Sequence, residues 1–355
     1  MPSAAELFVE SLSPWPAEFG LDRMRTLLAE LGEPQRAFRS IHVVGTNGKS
    51  TATATIAALL EAEGVPAGAY LSPHVSGWAE RIRIGGEEAD FDEAVERVRG
   101  AAVRLGATQF ETLTAAAFAA FAEAGVEAAA VEAGLGGRLD ATNVIDAPVV
   151  LLTNVSEDHT EVLGETREQI AREKLAVAHV ARVVVLPDNS YRHLVPERAE
   201  LRLGGARDAV EAFLGRRVEA QVDVALPGRL ERRPGGEVWD GAHNPAGVAW
   251  LAAHLEPGFV VCASILGDKD TDAMLAGLAR LGRTLIATQS SNERALAAAE
   301  LARAARPHFD HIEVVPDPEA ALDRARALGR PLVTGSLYLL ADLSRSGGRR
   351  ERAVR

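Results

Sequence analysis

At 355 residues, with 47% hydrophobic and 25% charged residues, the chain is long enough for about two domains with ordinary globular cores. Its 38 basic and 50 acidic residues leave a formal charge of -12, which argues against a nucleic-acid partner, because phosphate contacts need a clustered basic surface. Aromatics make up only 5% and the single cysteine, Cys262, sits in the apolar run 259–263, so the interior is expected to be Ala, Val and Leu with no intramolecular disulfide. The first six residues lack a basic segment followed by an apolar one, and no apolar run approaches the roughly 20 residues of a membrane span. The expectation is a cytoplasmic protein with no membrane partner.

Short apolar runs alternate with Ala-rich helical patterns. Strands are expected at 41–44, 67–71, 128–132, 149–154 and 183–186, then, after a break, at 238–239, 259–264, 284–288, 312–315 and 331–334. Helical spacing occupies 51–63, 113–123 and 271–281. This alternation predicts an α/β fold, parallel sheets with helices on both faces. The break, about 187–233, holds a charged stretch at 189–207, a short helix at 208–214 and the turn Pro227-Gly228-Arg229. It places a larger N-terminal domain at 1–225, a smaller C-terminal one at 226–345, and a frayed Arg-rich tail at 346–355.

The most specific feature lies between the first strand and its helix, where Gly45-Thr46-Asn47-Gly48-Lys49-Ser50-Thr51 forms a phosphate-binding loop. Glycines let the backbone aim its amides inward, and the helix N-terminus adds positive potential. Lys49 supplies a mobile cation for the outer phosphates, and the hydroxyl of Ser50 or Thr51 can reach a metal. The general pattern expects a further glycine five residues before Gly48, where Val43 stands.

Four further clusters sit at strand ends, where open α/β sheets place their ligands. They are Leu71-Ser72-Pro73-His74-Val75; Glu132 with the glycine-rich run to Asn143; Asn154-Val155-Ser156-Glu157-Asp158-His159-Thr160; and Trp239-Asp240-Gly241-Ala242-His243-Asn244-Pro245 with Arg229 shortly before. A carboxylate such as Glu132 at the end of an Ala/Val strand calls for a cation. Beside a phosphate loop, Glu132 and His159 point to magnesium.

Together these motifs resemble the folylpolyglutamate synthase/dihydrofolate synthase family, a branch of the Mur-ligase superfamily. The resemblance runs from Phe19-Gly20-Leu21-Asp22-Arg23-Met24 to Gly335-Ser336-Leu337-Tyr338. Gly-Thr-Asn-Gly-Lys is shared across the superfamily. The folate branch is marked by Leu71–His74, Phe110-Glu111-Thr112-Leu113-Thr114-Ala115, the run 134–143, Asp158-His159-Thr160-Glu161-Val162-Leu163-Gly164, Arg172-Glu173-Lys174, the run 226–229 and Asp268-Lys269-Asp270.

The resemblance implies a P-loop central domain with a mostly parallel sheet, followed by a smaller C-terminal Rossmann-like α/β domain. It implies that Thr46, Asn47, Gly48 and Lys49, with Ser50 and Thr51, hold ATP, and that Ser72, Glu132 and His159 bind magnesium. Lys174 matches a lysine that is carbamylated in the family and helps to hold a second ion; Lys49, Lys174 and His159 are the catalytic candidates. Arg229 and Asp240 would reach the nucleotide from the C-terminal domain, and Thr108, Phe110 and Asp140 would line the pterin site. His243, in the corresponding interdomain loop, is grouped with the substrate residues.

The implied reaction is the ATP-dependent joining of L-glutamate to dihydropteroate or to a folate through an acyl phosphate, by a monomer. Three features depart from the family. Ser50 stands where Gly is usual, the region after Lys174 is short, and the nucleotide-contacting Asn corresponds to Asp208. Two rivals remain: a Mur-type ligase acting on a UDP-linked peptide, and a non-catalytic nucleotide- or folate-binding remnant. Retention of Lys49, Glu132, His159 and Lys174 together speaks against the remnant.

Overall fold

The computed structural model describes the backbone of residues 2–353 and the side chains of residues 2–345. The described chain divides into two compact units, one of Met1–Pro73 and Trp78–Val224, the other of His74–Gly77 and Ala225–Arg355.

In the first unit, helices α1 (Ala4–Ser11) and α2 (Asp22–Glu30) precede β1 (Arg39–Val44), α3 (Lys49–Ala62) and β2 (Ala67–Tyr70). Next come β3 (Ile82–Ile84), β4 (Glu87–Glu88), α4 (Phe91–Leu105), α5 (Gln109–Glu123), β5 (Ala128–Glu132) and β6 (Val149–Leu152). The unit closes with α6 (Thr160–Leu163), α7 (Arg167–Leu175), β7 (Val183–Leu186), β8 (Glu200–Leu203) and α8 (Ala206–Leu214). The strands form one sheet in the order β4-β3-β2-β5-β1-β6-β7-β8, parallel except where β3 pairs with β2 and with β4. Parallel strands are covered on both faces and so read as continuous apolar runs. Every residue of β5, Ala-Ala-Ala-Val-Glu, is buried.

Helix starts follow the local capping chemistry. Ser3 with Glu6, Thr108 with Glu111 and Thr166 with Gln169 form reciprocal capping boxes at α1, α5 and α7, satisfying amides that have no intrahelical partner. Packing in this unit is small-residue work: Ala115, Ala116 and Ala117 sit beside Phe118 and Phe121, and Phe38 meets both rings edge-on or tilted at 5.8 and 5.7 Å.

The second unit carries β9 (Glu231–Arg232), β10 (Val238–Trp239), α9 (Pro245–His254), β11 (Phe259–Ala263), α10 (Thr271–Leu278), β12 (Thr284–Ala287) and α11 (Ala298–Ala305). It ends with β13 (His311–Val314), α12 (Pro318–Leu328), β14 (Arg330–Thr334) and α13 (Leu337–Ala353). Its sheet order is β13-β12-β11-β14-β10-β9, with only β9 antiparallel among the described residues. Val75 packs in this unit's core with Trp239, Leu339 and Leu340. Cys262 is fully buried in β11, where burial pushes its thiol up to about 12.

The expected α/β class with two parallel-dominated sheets is what is observed. Strands β3, β4, β8 and β9 were not expected. β4, β8 and β9 are edge strands and β3 is next to the edge; all are two to four residues long with exposed or half-exposed charged positions, so they lack an apolar run. The charged stretch 189–207, expected as part of a break, holds β8 and the start of α8. The backbone of α13 continues through Ala353; the side chains from 346 onward, and with them the expected frayed tail, lie outside the described residues.

Candidate active site

The register of the first sheet explains why the sequence clusters converge. Val43 of β1 lies opposite Glu132 of β5, Val44 lies opposite Leu152 of β6, and Tyr70 of β2 lies opposite Val131. Four strands therefore end at one edge, and the segments starting at Gly45, Leu71, Ala133 and Thr153 all leave from it. That edge is where a parallel sheet binds its ligand.

The phosphate loop is stitched to the segment after β6. Thr46 N–H donates to the Asn154 carbonyl (3.0 Å) and Asn47 N–H to Asn154 Oδ1 (3.0 Å). Asn154 Nδ2 and Thr153 Oγ1 donate back to the Asn47 carbonyl at 2.8 and 2.7 Å. Thr46 Oγ1 accepts from Ser156 N–H at 3.1 Å. Gly45 has φ 151°, and a Cβ there would fall on Thr153 Oγ1, so this close approach demands glycine. Gly48, left-handed at φ 78°, turns the chain into α3. Lys49 opens that helix and its Nζ donates to the Thr46 carbonyl at 3.3 Å.

Glu132 is 1% exposed. Its Oε2 accepts from Ser72 N–H (2.9 Å) and its Oε1 from Ser50 Oγ–H (3.1 Å). The Arg81 guanidinium, itself buried, interacts electrostatically with Glu132. Among the described residues no three His, Cys, Asp or Glu side chains gather at metal-binding spacing. A carboxylate with a serine hydroxyl beside it still suits Mg²⁺, which keeps several waters and commonly takes its remaining ligands from nucleotide phosphates. His159, exposed and at φ 52°, precedes α6, its N–H donating to Asp158 Oδ1 at 3.1 Å.

Lys174 lies near the end of α7, 4% exposed. Burial, and then the neighbouring Lys49 charge, pull its amine down to about 7, against the opposing pull of Asp140, Asp158 and Glu173. The run 134–143 packs on the end of this helix. Arg138 N–H donates to the Glu173 carbonyl and to its Oε1 at 3.2 and 3.0 Å, and a Cβ on Gly137 would lie 2.5 Å from the Lys174 carbonyl.

Phe110 lies against Gly134 and tilts onto Tyr70 with centroids 5.9 Å apart. Thr108 is committed to capping α5, its hydroxyl 2.8 Å from Glu111 Oε2, which also takes the Arg23 Nε–H at 2.8 Å. Asp140 is 6% exposed and organises its own loop, accepting from Leu135 N–H at 2.8 Å and Thr142 N–H at 3.0 Å. Burial raises its carboxyl above the usual range. Asp208 accepts from Gly205 N–H at 2.8 Å in the first turn of α8, a local engagement.

In the second unit Asp240 directly follows β10. It ties down its surroundings through Leu230 N–H (2.7 Å) and Ala242 N–H (2.9 Å), with Arg229 as a nearby opposite charge, and burial raises its carboxyl. His243 Nδ1 lies 2.8 Å from the Gly241 carbonyl, and Asn244 caps α9 ahead of Pro245.

Sequence reasoning assigned no role to Arg81, Thr153, Asn154 or Ser156, nor to His42 and Thr142. The signal for His42 was available: one imidazole inside the apolar strand Ile41-His42-Val43-Val44.

Residues 43–202 match the Mur ligase middle domain and residues 228–337 the Mur ligase glutamate ligase domain. A phosphate loop on a parallel sheet, followed by a second α/β unit, thus defines a ligase of the Mur type. The chain is 34% identical to the dihydrofolate synthase/folylpolyglutamate synthase of Mycobacterium tuberculosis, over 88% of this chain and 84% of that one. A structure of the Mycobacterium tuberculosis folylpolyglutamate synthase complexed with ADP superposes with a TM-score of 0.85 at 30% identity, covering 96% of each chain. The bifunctional folylpolyglutamate synthase/dihydrofolate synthase of Yersinia pestis, complexed with AMPPNP and a manganese ion, gives 0.82 at 27% identity over 96% of each. The chain belongs to the dihydrofolate synthase/folylpolyglutamate synthase family and is an ATP-dependent ligase.

Proposed function

We propose that the chain joins the amino group of L-glutamate to a carboxyl group of dihydropteroate, of a folate, or of both. The observation that carries this is the meeting, on one sheet edge, of a phosphate loop, the buried Glu132 held by Ser50 and Ser72, and a run that packs on the helix bearing Lys174. A carboxylate does not react with an amine at neutral pH, because oxide is a poor leaving group. Its oxygen first attacks the terminal phosphorus of ATP, releasing ADP and leaving an acyl phosphate. The glutamate amine then attacks the acyl carbon, loses its proton, and displaces phosphate.

Both steps gather negative charge on phosphoryl and carbonyl oxygens. Lys49, with the amides of 46–50, would offset that charge. Glu132, Ser72 and His159 would hold Mg²⁺, which when bound supplies charge neutralisation and orients the phosphates. A Lys174 amine near pH 7 is substantially unprotonated, the form able to add CO₂ with loss of a proton; the resulting carbamate would assist a second ion. Phe110, Thr108 and Asp140 would face the pteridine.

We assign nucleotide contacts to Arg229 and Asp240 and a substrate contact to His243; their support is that all three belong to one tightly bonded loop system. Asp208 is retained as a nucleotide candidate only through its match to the family's Asn. The monomeric state is proposed on the family resemblance alone. The lone buried cysteine supports a reducing, cytoplasmic setting, and no described helix is long and apolar enough to cross a membrane.

The test is ATP-dependent ligation of labelled L-glutamate to dihydropteroate, to tetrahydrofolate and to a UDP-muramoyl peptide in parallel. Labelled product with either pteridine is expected. Product with the UDP peptide alone would overturn the reading.

A further inference from the structure

His42 is a polar intruder at the centre of the first sheet. It lies in β1 opposite Val131 on one side and Val150 on the other, and it is 0% exposed. An imidazole so placed costs stability unless its nitrogens are bonded. Its Nε2 lies 2.8 Å from Thr142 Oγ1, whereas its Nδ1 has no hydrogen-bond partner among the described residues.

Thr142, also 0% exposed, has one hydroxyl proton and gives it to Asp140 Oδ1 at 2.5 Å. The hydroxyl lone pair that faces His42 must then accept, so the ring carries its proton on Nε2 and leaves Nδ1 bare. Burial, aided by His179, pushes the imidazole down to about 3, so the ring is neutral.

Asp140 in turn takes the N–H groups of Leu135 and Thr142. With the Thr142 hydroxyl, three donors from its own loop occupy most of the roughly four acceptor directions of a carboxylate. Asp140 thus shapes the run 134–143. One end of that run meets Phe110 at Gly134, and its middle lies on the Glu173 and Lys174 carbonyls at Gly137.

We propose that His42 is a positioning residue: through Thr142 it locks Asp140 and with it the loop that forms the pteridine-facing wall. The strand that delivers the phosphate loop thereby also sets the folate side of the site. This inference rests on the pteridine reading of Phe110 and its loop given above.

Three variants and one spectrum test it. Thr142→Val keeps the side-chain shape and removes the relay hydroxyl, His42→Leu removes the donor, and His42→Gln restores an N–H near the Nε2 position. Dihydropteroate binding is measured by calorimetry and ATP binding alongside it. Thr142→Val and His42→Leu should bind dihydropteroate roughly tenfold more weakly, the scale of one hydrogen bond, with ATP binding unchanged. His42→Gln should recover most of the loss.

If the wild-type protein does not bind dihydropteroate, the folate reading fails. If wild type binds it and the folded Thr142→Val binds it equally, the relay is overturned while the folate reading stands. Should the variants not fold, ¹⁵N-histidine spectra of the wild-type protein, with His42 assigned by through-bond correlation, decide the matter. A neutral ring protonated on Nε2 is expected, and one protonated on Nδ1 would overturn the relay.

Discussion

Lys49 and Lys174 are both lysines, and the tasks proposed for them are opposite. Lys49 is proposed to offset phosphate charge, so Lys49→Ala should abolish ligation in a folded protein; undiminished turnover would remove the phosphate-loop assignment. Lys174 is buried and its amine is drawn down to about 7. An unfolded lysine titrates near about 10.4, so between these values the unfolded chain binds the extra proton and stability rises with pH. Urea unfolding from pH 7 to 9 should show a gain that Lys174→Met lacks, and an equal gain in both would contradict the burial argument. Ligation should likewise rise with pH through about 7, and added bicarbonate should raise it further if the free amine is the form that takes up CO₂. Ser50 has a finer role, because its hydroxyl holds Glu132 Oε1. Ser50→Ala should raise the Mg²⁺ concentration for half-maximal activity by roughly tenfold, the usual cost of losing a partner that orients a metal ligand. A superimposable magnesium titration would sever that link.

At the scale of elements, the site depends on how loops seat against helices and strands. Gly137 lies where the glycine-rich run touches α7, with backbone carbonyls of Glu173 and Lys174 closing the space. Backbone cannot move aside as a side-chain end can. Gly137→Ala should therefore destabilise the protein by about 1–3 kcal/mol and depress ligation, read from a denaturant midpoint and a rate. An unchanged midpoint would mean that the loop lifts off α7 without cost. The same scale shows why some elements escaped sequence reading. Strand β8 is half exposed at a sheet edge within a charged stretch, so its pairing with β7 depends on its neighbour and not on an apolar pattern of its own. Helix α5 begins at Gln109, earlier than its apolar spacing suggests, because the Thr108–Glu111 box starts it.

At the scale of the whole molecule, the chain binds its nucleotide in the folded state only, since the loop amides converge only when β1 and β6 are paired. ATP with magnesium should then stabilise the protein by about 2.7 kcal/mol at a hundredfold excess over its dissociation constant, raising the melting temperature. Lys49→Ala should lose this shift, and a shift retained in full would place ATP elsewhere.

The amino-acid sequence by itself determined the fold class, because parallel strands buried on both faces must be apolar runs, and such runs alternate with Ala-rich helices along most of the chain. It marked the candidate phosphate loop as well, since glycines, a lysine and hydroxyls at a strand-to-helix junction are local chemistry. The family followed from motifs with fixed spacing. Only the tertiary structure decided which side chains meet. Ser50 reaches Glu132 across 82 positions and His42 reaches Thr142 across 100, contacts that exist because β1 and β5 lie side by side and the run after β5 folds back over the strand. It also decided charge: Lys174 and His42 are drawn far from their ordinary protonation by burial, a property of the packed surroundings that no local pattern of residues records.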